Sequence, residues 1–480
     1  MIDTLALAVA LPLLGAIGAT LWPRRSLPLS LVAGLATTAA ALALTVEVAL
    51  DGVQRSDFGG WGAPLGIALQ ADGLSVALLA MSNLVTLAAT FYSAEYFGDK
   101  AVRRHFWPLW MLLWASLNGL FIAADLFNIY VALELLGLAA VALAALTGTR
   151  DAVSASLRYL LASLLGAITY LLGVTLLYGA YGTLDLGLLA DAITSGPVAW
   201  GALTLMIGGL LIKTALFPMH FWLPPAHGNA PAPVSAALSA LVVKVSFYLI
   251  LRLWFDLFGP IVTPAAANLL GILGAAAILW GSWQAVMAER LKLMAAYSTV
   301  AQIGYLFLFF PVIASLEPSP ARDDLIGAMV LFALSHGFAK AALFLAAGHI
   351  QQCAGHDRID DLAGTVQRLP ATSFVIALAG VALIGLPLSG AFTAKWLLLS
   401  GAIAAGQWWW VLVVLAGTLL AAGYIFRMLG KVFGFQETPY ACITAVRSEV
   451  PALLLATTAT LVLGLAANPL WFLLGFGDLR

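Results

Sequence analysis

KTALFPMHFWLPPAHGNAPAPVSAALSALVVKVSFY, residues 213–248, is the stretch that decides the fold. Lys213 opens it and Lys244 stands near its end; between them the chain is almost wholly apolar, with His220, His227 and Asn229 the largest exceptions. Pro218, Pro224, Pro225, Pro231 and Pro233 interrupt it. A water-facing helix needs a polar face, and this stretch has none to offer. Proline-broken helices of such composition are tolerated in a membrane, where they line protein or a wet cavity.

The rest of the chain agrees. Of 480 residues, 62% are hydrophobic and 9% charged, against about 25% charged in a soluble domain. That excludes a cytosolic enzyme, a nucleic-acid binder and a disordered chain. A net charge of −1 implies no bulk electrostatic partner. Cys353 and Cys442 stand alone, with no paired spacing for zinc or iron–sulfur and no disulfide framework. No metal or other cofactor is expected. His336 and His349 are thirteen residues apart on one span and lack matching histidines for haem.

Apolar runs of about 20 residues mark transmembrane helices. Fourteen are read here, at 3–22, 27–49, 73–96, 106–124, 126–147, 157–180, 199–217, 232–255, 264–286, 293–312, 325–349, 371–398, 406–430 and 450–473. The fold class is thus an all-α polytopic membrane protein. The first run carries Asp3, with Arg24 and Arg25 behind it, unlike a cleaved signal. With the N-terminus outside, fourteen basic residues fall in inner loops, among them Lys100, Arg290, Lys292 and Arg447. Four fall outside: Arg55, Arg252, Arg322 and Arg480. This positive-inside bias sets the orientation; the expected location is the inner (plasma) membrane.

Lys213, Lys244, Lys340 and Lys395 lie within spans, joined by one acid, Glu134. Glu134 is nine residues past Asp125, roughly 13 Å into its helix. Five charges inside a bilayer cost on the order of 12–18 kcal/mol before pairing. One glutamate cannot neutralise four lysines, so buried salt bridges alone do not explain the set. Desolvation favours the neutral amine, which suits a group that takes up and releases protons. His220 and His227 follow Lys213, and His336 lies four residues before Lys340, on the same helix face. Two spans are interrupted beside lysines, by Pro218 after Lys213 and by Pro387 before Lys395. Breaks at matching places suggest an inverted repeat. The expected organisation is helices 1–3 in residues 1–100, a five-helix repeat in 101–258, a second in 259–430, and a last helix in 431–480. The loops are short and carry no nucleotide-binding motif or catalytic triad, so no enzyme activity of the chain alone is expected.

These residues resemble those of the proton-conducting antiporter-like membrane subunits of respiratory complex I, membrane-bound hydrogenases and Mrp-type Na+/H+ antiporters. The resemblance runs from about Asp72 to Lys431 and is densest in 213–248, LKLMAAYSTVAQIGY (291–305) and SHGFAKAALFLAAGHI (335–350). DLFNIYVALELL (125–136) most resembles the D subunit of Mrp antiporters. By position, the resemblance implies that Glu134 and Lys213 form a carboxylate–lysine pair, that Lys244 links two half-channels, that His336 and Lys340 act as a relay, and that Lys395 ends the path. It implies a proton-translocating subunit of a multisubunit Na+/H+ antiporter, with other membrane subunits, the lipid bilayer, protons and Na+ as partners and no nucleic acid. The alternative is a pumping subunit of a complex I-like NADH:quinone oxidoreductase or membrane-bound hydrogenase. More remote readings are an inorganic-carbon uptake complex and an independent solute carrier.

Overall fold

The computed structural model describes residues 3–98, 100–437 and 449–475, without the side chains of Phe58, Lys100 and Ala101. Arg447, Arg480 and Cys442 therefore lie outside the described residues. In chain order the elements are α1 (Thr4–Leu21), α2 (Ser26–Asp51), a hairpin of β1 (Gln54–Asp57) and β2 (Ala68–Ala71), α3 (Gly73–Tyr96), α4 (Lys100–Ile122), α5 (Leu126–Ala144), α6 (Arg150–Tyr181), α7 (Leu186–Ala192) and α8 (Pro197–Thr214). There follow α9 (Leu223–Asn229), α10 (Ala232–Ala237), α11 (Val243–Leu251), α12 (Pro264–Met287), α13 (Leu291–Ala314), α14 (Pro320–Ala354), α15 (Thr365–Arg368), α16 (Pro370–Ile384), α17 (Gly390–Ala404) and α18 (Trp408–Val432). The described chain ends with α19 (Glu449–Thr457), α20 (Leu463–Leu465) and α21 (Asn468–Leu473).

The protein is an all-α, multi-pass membrane protein. Among the described residues, eleven helices are long and apolar enough to cross a bilayer, with shorter apolar helices at Pro370–Ile384, Gly390–Ala404 and Glu449–Leu465. A helix satisfies its backbone hydrogen bonds internally, which hydrocarbon demands. Its ends need help, and the sequence supplies it. Asp125 accepts from the backbone amides of Phe127 and Asn128, Thr149 from Ala152, and Ser389 from Phe392. Proline stands in the first turn of α8, α14 and α16.

Packing divides the helices into two units, each discontinuous in sequence. The first comprises Met1–Leu87, Asp99–Ala215 and Leu241–Thr263, the second Ala88–Gly98, Leu216–Ala240 and Pro264–Arg480. In the first, α6 and α8 pack closely because glycines face backbone: a Cβ on Gly166 would stand 2.7 Å from the Gly209 carbonyl oxygen. In the second, the long helix α14 is flanked by α10, α13, α16, α17 and α19.

Several sequence expectations need correction. The loops are not all short and plain, since β1–β2 and α7 fill two of them. Lys292, assigned to a loop, sits in the first turn of α13 and is 2% exposed. Arg252 lies on the helical run that ends span eight, inside the 232–255 range read for that span, and its side chain is 15% exposed. Cys353 does not stand alone: it is buried at the end of α14 and disulfide-bonded. Spacing carried no sign of this, because tertiary proximity sets such pairing.

Candidate functional site

Within the first unit, α8 ends at Thr214, and Ala215 takes the left-handed conformation at φ 58°. Lys213 is in that last turn, where free helical carbonyls favour a cation. Its ammonium donates to Ser163 Oγ of α6 at 2.9 Å and is buried. Gly137 of α5 leaves room for it: a Cβ there would come within 2.5 Å of Ser163 Oγ and 3.8 Å of Lys213 Nζ. Glu134, one turn earlier on α5 and half-buried, attracts Lys213 electrostatically. The expected ion pair is not closed: among the described residues no carboxylate lies within 4 Å of Lys213, and the amine has turned to a hydroxyl. Lys244 on α11 is 1% exposed.

The second unit contains the remaining candidates. His220 lies in the 3-10 turn Met219–Trp222 behind Pro218, its ring stacked on Phe217 at 5.4 Å. His227, on α9, is fully buried and meets Phe344 edge-on. His336 and Lys340 are buried on one face of α14. Lys340 donates to the Ala295 carbonyl at 2.6 Å and to Ser298 Oγ of α13. His349, further along α14, packs its ring against Tyr92 at 4.7 Å. Pro387 stands exposed in the turn between α16 and α17, which Gly385 opens at φ 80° and Leu388 continues at φ 74°. That break frees the last carbonyls of α16. Ile384 gives its oxygen to Lys395 Nζ at 3.0 Å. Thr418 Oγ accepts from the same amine at 3.2 Å, and the Tyr305 ring lies 4.1 Å from it.

One helix ties these together. α13 presents Lys292, Ser298, Thr299, Gln302 and Tyr305 at helical spacing, all buried. Lys292 donates to the Ala230 carbonyl, Ser298 holds Lys340, Gln302 donates to the Leu383 carbonyl at 2.8 Å, and Tyr305 faces Lys395. Lys292 was missed for want of an accurate helix boundary. The neutral members were missed because serine, threonine and glutamine in a span read as packing residues; their three- and four-residue spacing was the available signal.

A common chemistry emerges. Lys213, Lys292, Lys340 and Lys395 are held by hydroxyl or carbonyl oxygens, while the ion pairs among the described residues involve arginines and Lys431. A buried ammonium paired to a carboxylate is fixed by its partner. One held by neutral oxygens can lose its proton without stranding a counter-charge, and a serine hydroxyl can reverse from acceptor to donor as it does so. No group of residues with the character of a metal site occurs among the described residues.

Comparison with known proteins gives the family. The family model described as NADH:quinone oxidoreductase/Mrp antiporter, TM, matches residues 123–421. The chain belongs to this family of antiporter-like, proton-translocating membrane subunits. The N subunit of the NADH-quinone oxidoreductase of Desulforudis audaxviator (strain MP104C) is 38% identical over 440 residues, covering 89% of this chain and 86% of the relative. The D subunit of the Na(+)/H(+) antiporter of Alkalihalophilus pseudofirmus (strain ATCC BAA-2126 / JCM 17055 / OF4) is 27% identical over 440 residues, with coverage of 89% and 86%. A chain in the solved structure of the Mrp complex from Dietzia sp. DQ12-45-1b superposes with a TM-score of 0.90 at 26% identity, covering 99% of this chain and 97% of that one.

Proposed function

We propose that the chain carries protons across the inner membrane through its buried lysines, as the proton-translocating subunit of a multisubunit Na+/H+ antiporter. The observation that carries this reading is the holding of buried lysines by hydroxyl and carbonyl oxygens. Glu134, Lys213 and Lys244 serve the first unit; His336, Lys340 and Lys395 serve the second, with His220 and His227 as accessory proton carriers. Glu134 modulates Lys213 from a distance: it attracts the charged amine, and proton loss from Lys213 relaxes that attraction. Residues 101–258 and 259–430 act as two inverted repeats, each with a helix broken at Pro218 or Pro387. The N-terminus faces outward, as the arginine and lysine bias requires.

The partners are other membrane subunits, and the likeness to the Mrp complex supports that assembly. The higher identity to the N subunit of a quinone oxidoreductase favours a second reading, in which redox partners drive the same proton path. A mild-detergent pull-down of the tagged chain from its native membrane, read by mass spectrometry, separates the two. Small membrane subunits with another antiporter-like chain, and Na+-dependent proton movement, are the result expected. Iron–sulfur or flavin proteins among the partners would replace antiport by redox pumping.

A further inference from the structure

Within the first unit, Lys244, Tyr248, Arg252 and Asp256 recur every four residues along the end of span eight, and so form one stripe on its helix. Exposure rises steadily along the stripe: Lys244 is 1% and Tyr248 3% exposed, the Arg252 side chain 15% and the Asp256 side chain 57%. The outer end opens into a cavity of about 290 Å³, lined among others by Gln70, Asp72, Ser75, Ala190, Tyr248 and Arg252. Beyond Leu251 the helix is wound in the wider π form, Arg252–Leu257, a local distortion common at functional sites.

The polar atoms in this cavity are connected. Arg252 binds Asp72 through Nη2 and Asp256 through Nη1 at 2.9 Å, and donates from Nε to Tyr248 Oη at 3.0 Å. Ser75 Oγ donates to Asp72 Oδ1 at 3.1 Å and stands 3.2 Å from Tyr248 Oη. Tyr248 in turn donates to the Phe121 carbonyl at 2.7 Å. Burial alone would raise the Asp72 carboxyl, but Arg252 and the Ser75 hydrogen bonds outweigh it and hold it below the usual range, so it is an ionised acceptor.

We infer that Asp72, Ser75 and Tyr248 form the water-facing port of the proton route to Lys244, with Arg252 as the residue that positions them. This rests on the proton-conducting reading above. Inward movement begins when a hydronium ion in the cavity gives its proton to the Asp72 carboxylate and leaves as water. The Asp72 O–H bond breaks as a Ser75 O–H forms, Ser75 passes its original proton to Tyr248, and the Tyr248 hydroxyl releases its own toward Lys244. Lys244 stands four residues earlier on the same helix, about 6 Å of helical rise, and water carries the proton over this interval. The neutral amine gains an N–H bond, the carboxylate is restored, and no electrons move. Arg252 bridges Asp72 and Tyr248, which keeps the donor and acceptor ends in register.

The test uses the assembled complex in proteoliposomes, with proton flux followed by a trapped pH dye. Tyr248→Phe keeps the ring and removes the hydroxyl; Asp72→Asn keeps shape and removes the proton acceptor. Each is expected to lower flux by roughly ten-fold or more, and Asp72→Glu to recover part of it. Lys213→Ala is the reference for conduction itself. Flux near wild type in Tyr248→Phe and Asp72→Asn, with Lys213→Ala inactive, would overturn the port and leave the conduction reading standing. Normal flux in all three would overturn both. Should either port variant fail to assemble, Ala190→Cys on the cavity wall is treated after assembly with a charged methanethiosulfonate. Flux lost on labelling supports the port, and full labelling with unchanged flux overturns it.

Discussion

The ends of α8 and α16 solve one problem in two ways. Each helix stops inside the membrane beside a buried lysine, yet Lys213 belongs to the helix that ends, whereas Lys395 belongs to the helix that follows the break. Lys213 is caught by a side chain, Ser163, with a carboxylate acting at longer range. Lys395 is caught chiefly by main chain, the terminal carbonyl of Ile384, and by an aromatic face. The difference shows where each site can be altered. A side-chain acceptor can be deleted alone; a carbonyl acceptor can be disturbed only by altering the turn that exposes it.

The first way to sharpen this contrast is Glu134→Gln. Removing the acid that attracts Lys213 is expected to cut proton flux by roughly ten-fold or more, with the complex still assembled in a pull-down. Gly385→Ala addresses the other site. The residue has φ 80°, and a Cβ would stand 3.0 Å from Lys395 Cδ. The strain is expected to cost about 1–2 kcal/mol, seen as earlier thermal aggregation in detergent together with reduced flux. Ser163→Ala deletes a neutral hydrogen bond worth about 1 kcal/mol, so flux is expected to fall a few-fold, less than in Glu134→Gln. The smallest effect belongs to Tyr305→Leu. It removes a ring contact worth about 0.5–2 kcal/mol while the Ile384 and Thr418 oxygens remain, so a slight change in thermal stability and flux is expected. An effect of Ser163→Ala larger than that of Glu134→Gln would invert the comparison.

Much of the membrane architecture was legible because hydrocarbon imposes simple rules. Twenty apolar residues make a span, and proline beside lysine marks a break; the structure has helix ends at Thr214 and Ile384 where Pro218 and Pro387 signalled them. The lysines could be named because charge is rare in such runs. Their partners could not. Ser163 lies 50 residues from Lys213, and Ser298 lies 42 from Lys340; nothing in a single sequence ties a small hydroxyl to a distant amine. The Ile384 carbonyl has no side-chain signature at all. Lys292 was hidden by an error of two residues in one helix start, and the β1–β2 hairpin by the brevity of its strands, four residues each, of which only β1 is polar. The partner of Arg252, Asp72, is 180 residues away and was equally out of reach.

The central claim is that buried lysines, held by neutral oxygens, carry the proton. Its most direct test is proton uptake by proteoliposomes containing the assembled complex, with Lys213→Ala and Lys395→Ala compared against wild type at equal incorporation. Both variants are expected to lose flux by roughly a hundred-fold while retaining their partner subunits. Flux within a factor of about two of wild type in both, a difference of under about 0.5 kcal/mol, would contradict the account.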